Sequence, residues 1–278
     1  MVSVIIVTYN SDRFIGKCLS AIGNQSQAVD EIIIMDNNSK NTRIINSLVV
    51  NMKTSVKLIE LPYNLGYAGA ASAALEHVNP NSGYILYVAP DTFLTERYVE
   101  DGIMHLERIE NIKVGALSGI LYGYDIGRNE PTGLIDSTGI LQTWYGRWYD
   151  RDQGEKIEDI SYINPEEMPS LCGTALLCRR TALDTIRKSE PYSCYDASLF
   201  MYKEDIDLSL RMRAAGFKLH LIPHMTSYHC RGWNRKAMSR RAKILSARNE
   251  IQINSNLGLI KYLYSCTKLY IVSNWRFF

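Results

Sequence analysis

This 278-residue chain is short of three things, and each shortage closes off a class of protein. Its six cysteines (Cys18, Cys172, Cys178, Cys194, Cys230 and Cys266) form no CxxC pair. That argues against a zinc site or a disulfide scaffold and for reduced thiols in a cytosol. No apolar run reaches the length that spans a bilayer. Neither GxGxxG nor GxxxxGK followed by Ser or Thr occurs after the first strand-like segment, so the dinucleotide and P-loop fingerprints are unmet. The opening residues, Met1 to Val7, lack a basic lead and a cleavage site. They read as a strand of a cytoplasmic protein rather than as a signal peptide.

What is present describes an ordinary globular chain. With 46% hydrophobic and 22% charged residues, it can bury a sizeable core. The net charge of +2 conceals an asymmetry. From Arg231 to Phe278 there are ten Lys and Arg against one acid, Glu250, whereas the preceding 230 residues hold 21 basic and 28 acidic groups. The basic tail also carries Tyr262, Tyr264, Tyr270, Trp275, Phe277 and Phe278. That mixture suits an anionic membrane surface. A solvated helix with its stems packed on the core is an equal alternative, and nucleic acid is a competing partner that we set aside. We expect one catalytic domain over 1–235, with halves of about 1–95 and 96–235, and a helical basic and aromatic extension over 236–278.

Val2 to Val7 and Glu31 to Met35 read as buried strands, and Val56 to Glu60 and Tyr84 to Val88 as a third and fourth strand. Helical patterns separate them: Phe14, Ile15, Cys18, Leu19 and Ile22 share one stripe, and Ile44–Val50 and Gly66–Val78 follow. This alternation predicts an α/β fold with a mainly parallel, Rossmann-like sheet and right-handed crossovers. Ligands of such sheets bind at the carboxyl ends of the strands. Thr8-Tyr9-Asn10, Asp36-Asn37-Asn38 and Asp91 fall there. In the second half, Val114–Leu121 reads as strand, 122–154 as loops and short strands, and Leu171–Arg180 as strand before a helix from Thr181 to about Lys188. A helix from Ile206 to Ala215 stops at Gly216, and the strand Lys218–Ile222 precedes His229.

The segment from Phe200 to Arg211 places Glu204, Asp205 and Asp207 within four residues. Like charges so close raise the cost of ionising all three. They suit either a helix start, where acids meet the positive end of the dipole, or a general base at a pocket mouth. For Asp207 the helix start is preferred. Other candidates also carry structural readings. Asp36 suits a turn, Asp91 could cap a helix starting near Thr95, and His229 alone suits a packed histidine. Trp144, Tyr145, Trp148 and Tyr149 read as core or lid, though aromatic rings facing a site also suit a sugar.

Taken in order, several pieces resemble the family 2 glycosyltransferases, inverting enzymes of the GT-A fold, and most of all bacterial rhamnosyltransferases of surface polysaccharide synthesis. The pieces are Val4 to Asn10, Ile34 to Ser39, Asn64 to Gly69, Ala89-Pro90-Asp91, Gly173-Thr174-Ala175 before Arg179-Arg180, Phe200 to Arg211 with Ala215-Gly216-Phe217, His229, and Arg248-Asn249. The resemblance implies that Thr8, Tyr9 and Asn10 line a nucleotide pocket and that Asp36 and Asn38 hold base and ribose. It implies that Asn64, Gly66, Ala68 and Gly69 let the chain approach the donor. Pro90 and Asp91 are implied to bind the nucleotide sugar, Asp91 being the surviving carboxylate of the family's metal-binding DxD-type signature, with Asp91 and His229 as ligands of Mg or Mn. Asp205 is the implied general base, with Glu204 beside it at the acceptor. The chain departs from that pattern in having no second acid after Asp91 and in placing Asn41 where an acid is common.

The implied function is transfer of L-rhamnose from dTDP-rhamnose to a lipid-linked or polysaccharide acceptor, by a cytoplasmic enzyme peripheral on the inner face of the plasma membrane. The alternatives are the same fold with a UDP-hexose or UDP-galactofuranose donor, a nucleotidyltransferase, or an inactive partner in an assembly complex. A homodimer is left open.

Overall fold

The β-branched runs at the start of the chain form the centre of one sheet. In the computed structural model, which describes residues 1–50, 52–187, 194–230 and 238–274, every residue of β1 (Val2–Thr8) and β2 (Glu31–Asp36) is buried. Isoleucine and valine on both faces require cover on both faces. α1 (Ile15–Gly23) supplies part of it through Ile15, Cys18, Leu19 and Ile22, the stripe read from the sequence. α2 (Arg43–Val49), β3 (Ser55–Glu60), α3 (Gly66–Ala74) and β4 (Tyr84–Val88) follow. β1 pairs in parallel with β2 and β4, and β2 with β3, as the alternation predicts.

Beyond β4 the sheet is mixed. The chain continues through β5 (Thr92–Leu94), α4 (Tyr98–Leu106), β6 (Val114–Asp125), β7 (Glu130–Ser137) and a separate hairpin of β8 (Ile140–Gln142) and β9 (Trp148–Asp150). Then come β10 (Glu166–Glu167), β11 (Ala175–Arg179), α5 (Arg180–Ile186), α6 (Glu204–Ala214) and β12 (Lys218–His229). The strand order is β10-β12-β6-β11-β4-β1-β2-β3, with β5 on β12 and β7 on β6. β11 runs antiparallel to β4 and β6, whereas β12 runs parallel to β6.

Three local expectations change. Tyr122 to Asp125 extends β6 rather than opening a loop. β12 does not stop at Ile222; a register shift between Ile222 and Thr226 lets it bend and continue to His229. Thr92 to Leu94 is strand, and α4 has Arg97 at its N-cap, so Asp91 caps no helix there.

α7 (Arg240–Asn254) and α8 (Leu259–Asn274) complete the described chain. α7 buries Ala247, Asn249, Glu250, Ile253 and Asn254, and Ile253 joins the main core. α8 leaves Leu259, Ile260, Leu263 and Tyr270 exposed. Among the described residues no helix is long and apolar enough to cross a membrane. The expected boundary at 235/236, the helix end at Lys188, and Arg235, Trp275, Phe277 and Phe278 of the basic tail lie outside the described residues.

Candidate active site

The first cluster of predicted residues forms where β1 and β2 end. Thr8 and Asp36 are register partners there, and both are buried. Asp36 Oδ2 accepts the Ser39 N–H at 2.8 Å, which is the turn bond of its structural reading. Its Oδ1 is buried without a partner among the described residues, as is Thr8 Oγ1. A buried acceptor left unsatisfied costs ~1–3 kcal/mol, so this corner needs a donor that the described chain does not provide. Asn10 and Asn38 both adopt positive φ, 51° and 66°, a conformation that Asn tolerates better than most residues. The Asn10 N–H donates to Ser39 Oγ at 2.8 Å, and its side-chain oxygen accepts the Lys40 N–H at 3.0 Å. The two strand ends are thereby laced together, with Tyr9 and Asn38 exposed on the rim.

Asn37, unassigned in the sequence, joins this corner to α3. Its Nδ2 donates to the Gly66 carbonyl at 3.0 Å and its Oδ1 accepts the Leu65 N–H at 2.7 Å. Asn64 Oδ1 accepts the Gly66 N–H at 2.8 Å. Gly66 has φ +72°, and a Cβ there would lie 2.3 Å from the Phe200 carbonyl oxygen. Only glycine lets the acidic segment approach so closely. Ala68 N–H donates to that same oxygen at 3.1 Å, and Gly69 follows within α3.

The sheet brings the carboxylates together from the other side. Because β11 is antiparallel to β4, Thr174 lies just past the end of β4, and its carbonyl accepts the Ala89 N–H at 2.8 Å. The neighbouring Gly173 N–H donates to Asp205 Oδ2 at 3.1 Å. Pro90 sits in the turn closed by Thr92 N–H on the Ala89 carbonyl at 3.0 Å, which leads directly into Asp91. Asp91 and Asp205 are therefore fastened to one edge of the β4–β11 pair.

Glu204 and Asp205 are partly buried at the start of α6. Burial pushes the Glu204 carboxyl up, and the Asp205 charge adds to it, to about 8. Burial also raises Asp205; the Gly173 N–H opposes that, and Asp150 on the β8–β9 hairpin reinforces it. Near neutral pH Glu204 therefore holds its proton, which limits the like charge that Asp205 faces. Glu204 Oε2 has no partner among the described residues. Asp207 differs: it pairs with Arg211 at 2.7 Å along the helix, so its helix-start reading holds. α6 ends as expected at Gly216, with φ +88°.

His229 is register-paired with Thr92, next to Asp91. Its Nε2 lies 3.4 Å from Asp91 Oδ2 and its Nδ1 2.6 Å from Asp136 Oδ2. Burial pulls the imidazolium down, but the charge of Asp91 and the bond to Asp136 outweigh it and raise His229 to about 9. Asp136 was unassigned in the sequence. It comes from β7, on the far side of β6 from β12, and no local spacing links it to position 229. A carboxylate on one imidazole nitrogen is how ligating histidines are held; for Nε2 to take a metal, the imidazolium must give up the proton that Asp91 and Asp136 stabilise. One carboxylate and one imidazole suit a Mg or Mn ion that completes its shell with diphosphate and water. Among the described residues no group of three His, Cys, Asp or Glu could hold an ion. Asp91 and His229 could offer two ligands, with the rest of a shell left to diphosphate and water.

The chain as a whole is similar to known proteins. The chain is 24% identical over 273 residues to rhamnosyltransferase WbbL of Escherichia coli (strain K12), covering 92% of this chain and 98% of that one. It is 23% identical over 242 residues to the N-acetylglucosaminyl-diphospho-decaprenol L-rhamnosyltransferase of Mycobacterium tuberculosis, covering 81% and 75%. Its fold is similar to the mannosyltransferase PcManGT of Pyrobaculum calidifontis, solved with GDP-Man and Mn2+ (TM-score 0.64, 15% identity, 98% of this chain and 72% of that one). It is also similar to GalNAc-T7, solved with UDP, GalNAc and Mn2+ (TM-score 0.70, 14% identity), where it covers 92% of itself but only 47% of that longer chain. Residues 3–187 match the model of Glycosyl transferase family 2, and with its GT-A-type sheet the chain belongs to that family and is a glycosyltransferase.

Proposed function

We propose that the protein is an inverting rhamnosyltransferase that uses dTDP-rhamnose and a lipid-linked or polysaccharide acceptor. The observation that carries this reading is the tethering of Asp36, Asp91 and Asp205, from three distant stretches of chain, to adjoining strand ends through Asn37, Gly66, Phe200, Thr174 and Gly173. The sugar identity is supported by the rhamnosyltransferase relatives.

In this reading Asp36 Oδ1 accepts from the base or ribose, which supplies the donor its buried oxygen lacks. Asp205 takes the proton of the acceptor hydroxyl. The new O–C bond forms at the anomeric carbon as the bond to the diphosphate oxygen breaks, and the electron pair leaves with the nucleoside diphosphate. One base and no covalent intermediate give inversion. Burial raises the affinity of Asp205 for a proton, which suits it to accept one. Glu204, protonated near neutrality, limits the charge beside it and presents a hydroxyl to the acceptor. A divalent metal at Asp91 and His229, when bound, offsets the charge growing on the leaving diphosphate; Asp136 holds the imidazole in place for it.

The exposed apolar residues of α8, namely Leu259, Ile260, Leu263 and Tyr270, together with the basic residues of the C-terminal region, support docking on an anionic membrane. That surface suits an acceptor carried on a lipid, as in the decaprenol substrate named for the mycobacterial relative. Replacing Leu259, Ile260 and Leu263 by Ser should reduce sedimentation with anionic vesicles; unchanged sedimentation removes the membrane from the proposal.

The central test is turnover of dTDP-rhamnose, UDP-glucose and UDP-galactofuranose by wild type and Asp205→Asn. We expect turnover of dTDP-rhamnose by wild type and a loss of ~10²–10⁴-fold in the variant, the usual contribution of a general base. Preference for a UDP-sugar would overturn the donor assignment, and equal rates in both proteins would overturn the base.

A further inference from the structure

α7 carries a side chain that the transfer chemistry does not touch. Asn249 is 4% exposed. Its Nδ2 donates to the carbonyls of Leu199 at 2.8 Å, Met201 at 3.0 Å and Tyr202 at 2.8 Å. An amide has two N–H bonds, so the three carbonyls share them. All three belong to the loop that runs directly into Glu204 and Asp205.

That loop needs holding. Phe200, Tyr202 and Lys203 have φ of 58°, 74° and 73°, and none is glycine. Such residues cost of order 1–3 kcal/mol each and persist only where their surroundings over-determine them. The loop also touches the donor side, through the Phe200 carbonyl that accepts the Ala68 N–H. Beside Asn249, the fully buried Glu250 pairs with Lys268 of α8 and lies 3.9 Å from Lys203 Nζ. Consecutive residues of α7 thus grip the loop along its length. Thr8 and Asp36 stand on β1 and β2 and receive no bond from α7.

We propose that Asn249 is a positioning residue, whose amide holds the loop 199–203 in the conformation that sets Asp205 against Gly173 and facing the donor. Its effect on turnover rests on the assignment of Asp205 as base. A displacement of about 1 Å at a reacting group can cost ~10²-fold in rate. The nucleotide corner touches the loop only through the α3 start and has its own β1–β2 bonds, Asp36 to the Ser39 N–H and the Asn10 N–H to Ser39, so the loss falls mainly on kcat and spares most of the nucleotide affinity.

The test uses the full chain with Asn249→Asp, which keeps the shape but replaces the donor with an acceptor, Asn249→Ala, and Asn249→Ser, which retains one donor. We expect Asn249→Asp to lose ~10²-fold in kcat, at least as much as Asn249→Ala. We expect Asn249→Ser to lose less, with dTDP and UDP affinities in the presence of Mn2+ within about threefold of wild type in all three. Hydrogen exchange of the Ala68 and Gly173 amides reads the loop without any turnover and should quicken about tenfold in Asn249→Ala, while the β1 and β2 amides stay unchanged. Near wild-type kcat and exchange in Asn249→Asp overturn the proposal, as does a loss of nucleotide affinity in proportion to kcat. Should Asp205→Asn prove fully active, the base assignment falls, while quickened exchange at Ala68 and Gly173 still establishes the hold on the loop. If Asn249→Asp and Asn249→Ala do not fold, Asn249→Ser carries the same two readouts, and wild-type values there refute it.

Discussion

Replacing Glu204 by Gln removes a group whose titration works against the folded state, and the sign of the effect distinguishes a protonated Glu204 from an ionised one. The ordinary value of 4.5 rises to about 8, first through burial and then through the Asp205 charge. Between those values the folded protein keeps a proton that the unfolded chain has lost. Stability therefore falls as pH rises from about 4.5 to about 8 and is flat above that, opposite to the usual salt-bridged carboxylate. At 1.36 kcal/mol per pKa unit the ceiling is ~5 kcal/mol. Partial exposure of the side chain lets water screen the charge, and ~2 kcal/mol is a fairer expectation. Gln matches the protonated acid in shape and charge, so the variant escapes the penalty. Thermal melts at pH 5, 7 and 9 measure it. The Tm of Glu204→Gln relative to wild type should climb by ~4 °C between pH 5 and pH 9, at roughly 2 °C per kcal/mol for a chain of this size. A difference that stays flat or shrinks with rising pH would mean that Glu204 is ionised in the folded protein, and the account of a protonated Glu204 beside Asp205 would fail.

Other perturbations probe the remaining contacts. Asp136→Asn should weaken Mn2+-dependent binding of a nucleoside diphosphate by ~10–100-fold, the usual cost of losing a carboxylate behind a ligating histidine, and calorimetry with and without Mn2+ would show no change if His229 lies off the metal path. Gly66→Ala places a methyl 2.3 Å from the Phe200 carbonyl oxygen at φ +72° and should lower stability by ~2 kcal/mol or more; a denaturant midpoint equal to wild type would show that the acidic loop does not seat there.

The donor half was readable because its signals are local. Continuous Ile and Val runs specify β1 and β2, and an apolar and aromatic run specifies β4; the carboxyl ends of parallel strands are where polar residues matter. The acidic start of α6 and its stop at Gly216 likewise depend only on neighbours in the chain. Asp136, Asn37 and the extension of β12 were not readable for a common reason. Asp136 sits in an unremarkable Ile-Asp-Ser stretch, and its value comes from β7 crossing to the far side of β6, some ninety positions before the histidine it meets. Asn37 carries no local signal beyond that of its neighbours Asp36 and Asn38, although it is the buried member that ties two elements together. The bend that carries β12 to His229 lies between Ile222 and Thr226, beyond the strand Lys218–Ile222 that the sequence shows.

The C-terminal helices show why charge alone misplaces a function. A count of ten basic residues against one acid describes a surface, and the outer stripe of α8 keeps that possibility. The single acid tells more. Glu250 is fully buried between Lys203 and Lys268, and an ion cluster taken out of water is stable only with its partners in place. Its partner Lys203 directly precedes Glu204. Burial lowers the Lys203 ammonium, and Glu250 works to restore it. The charge that α7 buries therefore keeps a cation beside two carboxyls that would otherwise repel each other more strongly. A C-terminal segment whose buried acid holds the cation beside the acidic pair cannot be a detachable anchor. Truncation before α7 should abolish transfer by purified protein in detergent with a soluble acceptor, where no membrane is needed; turnover retained by that truncated protein would return α7 to the role of a tail.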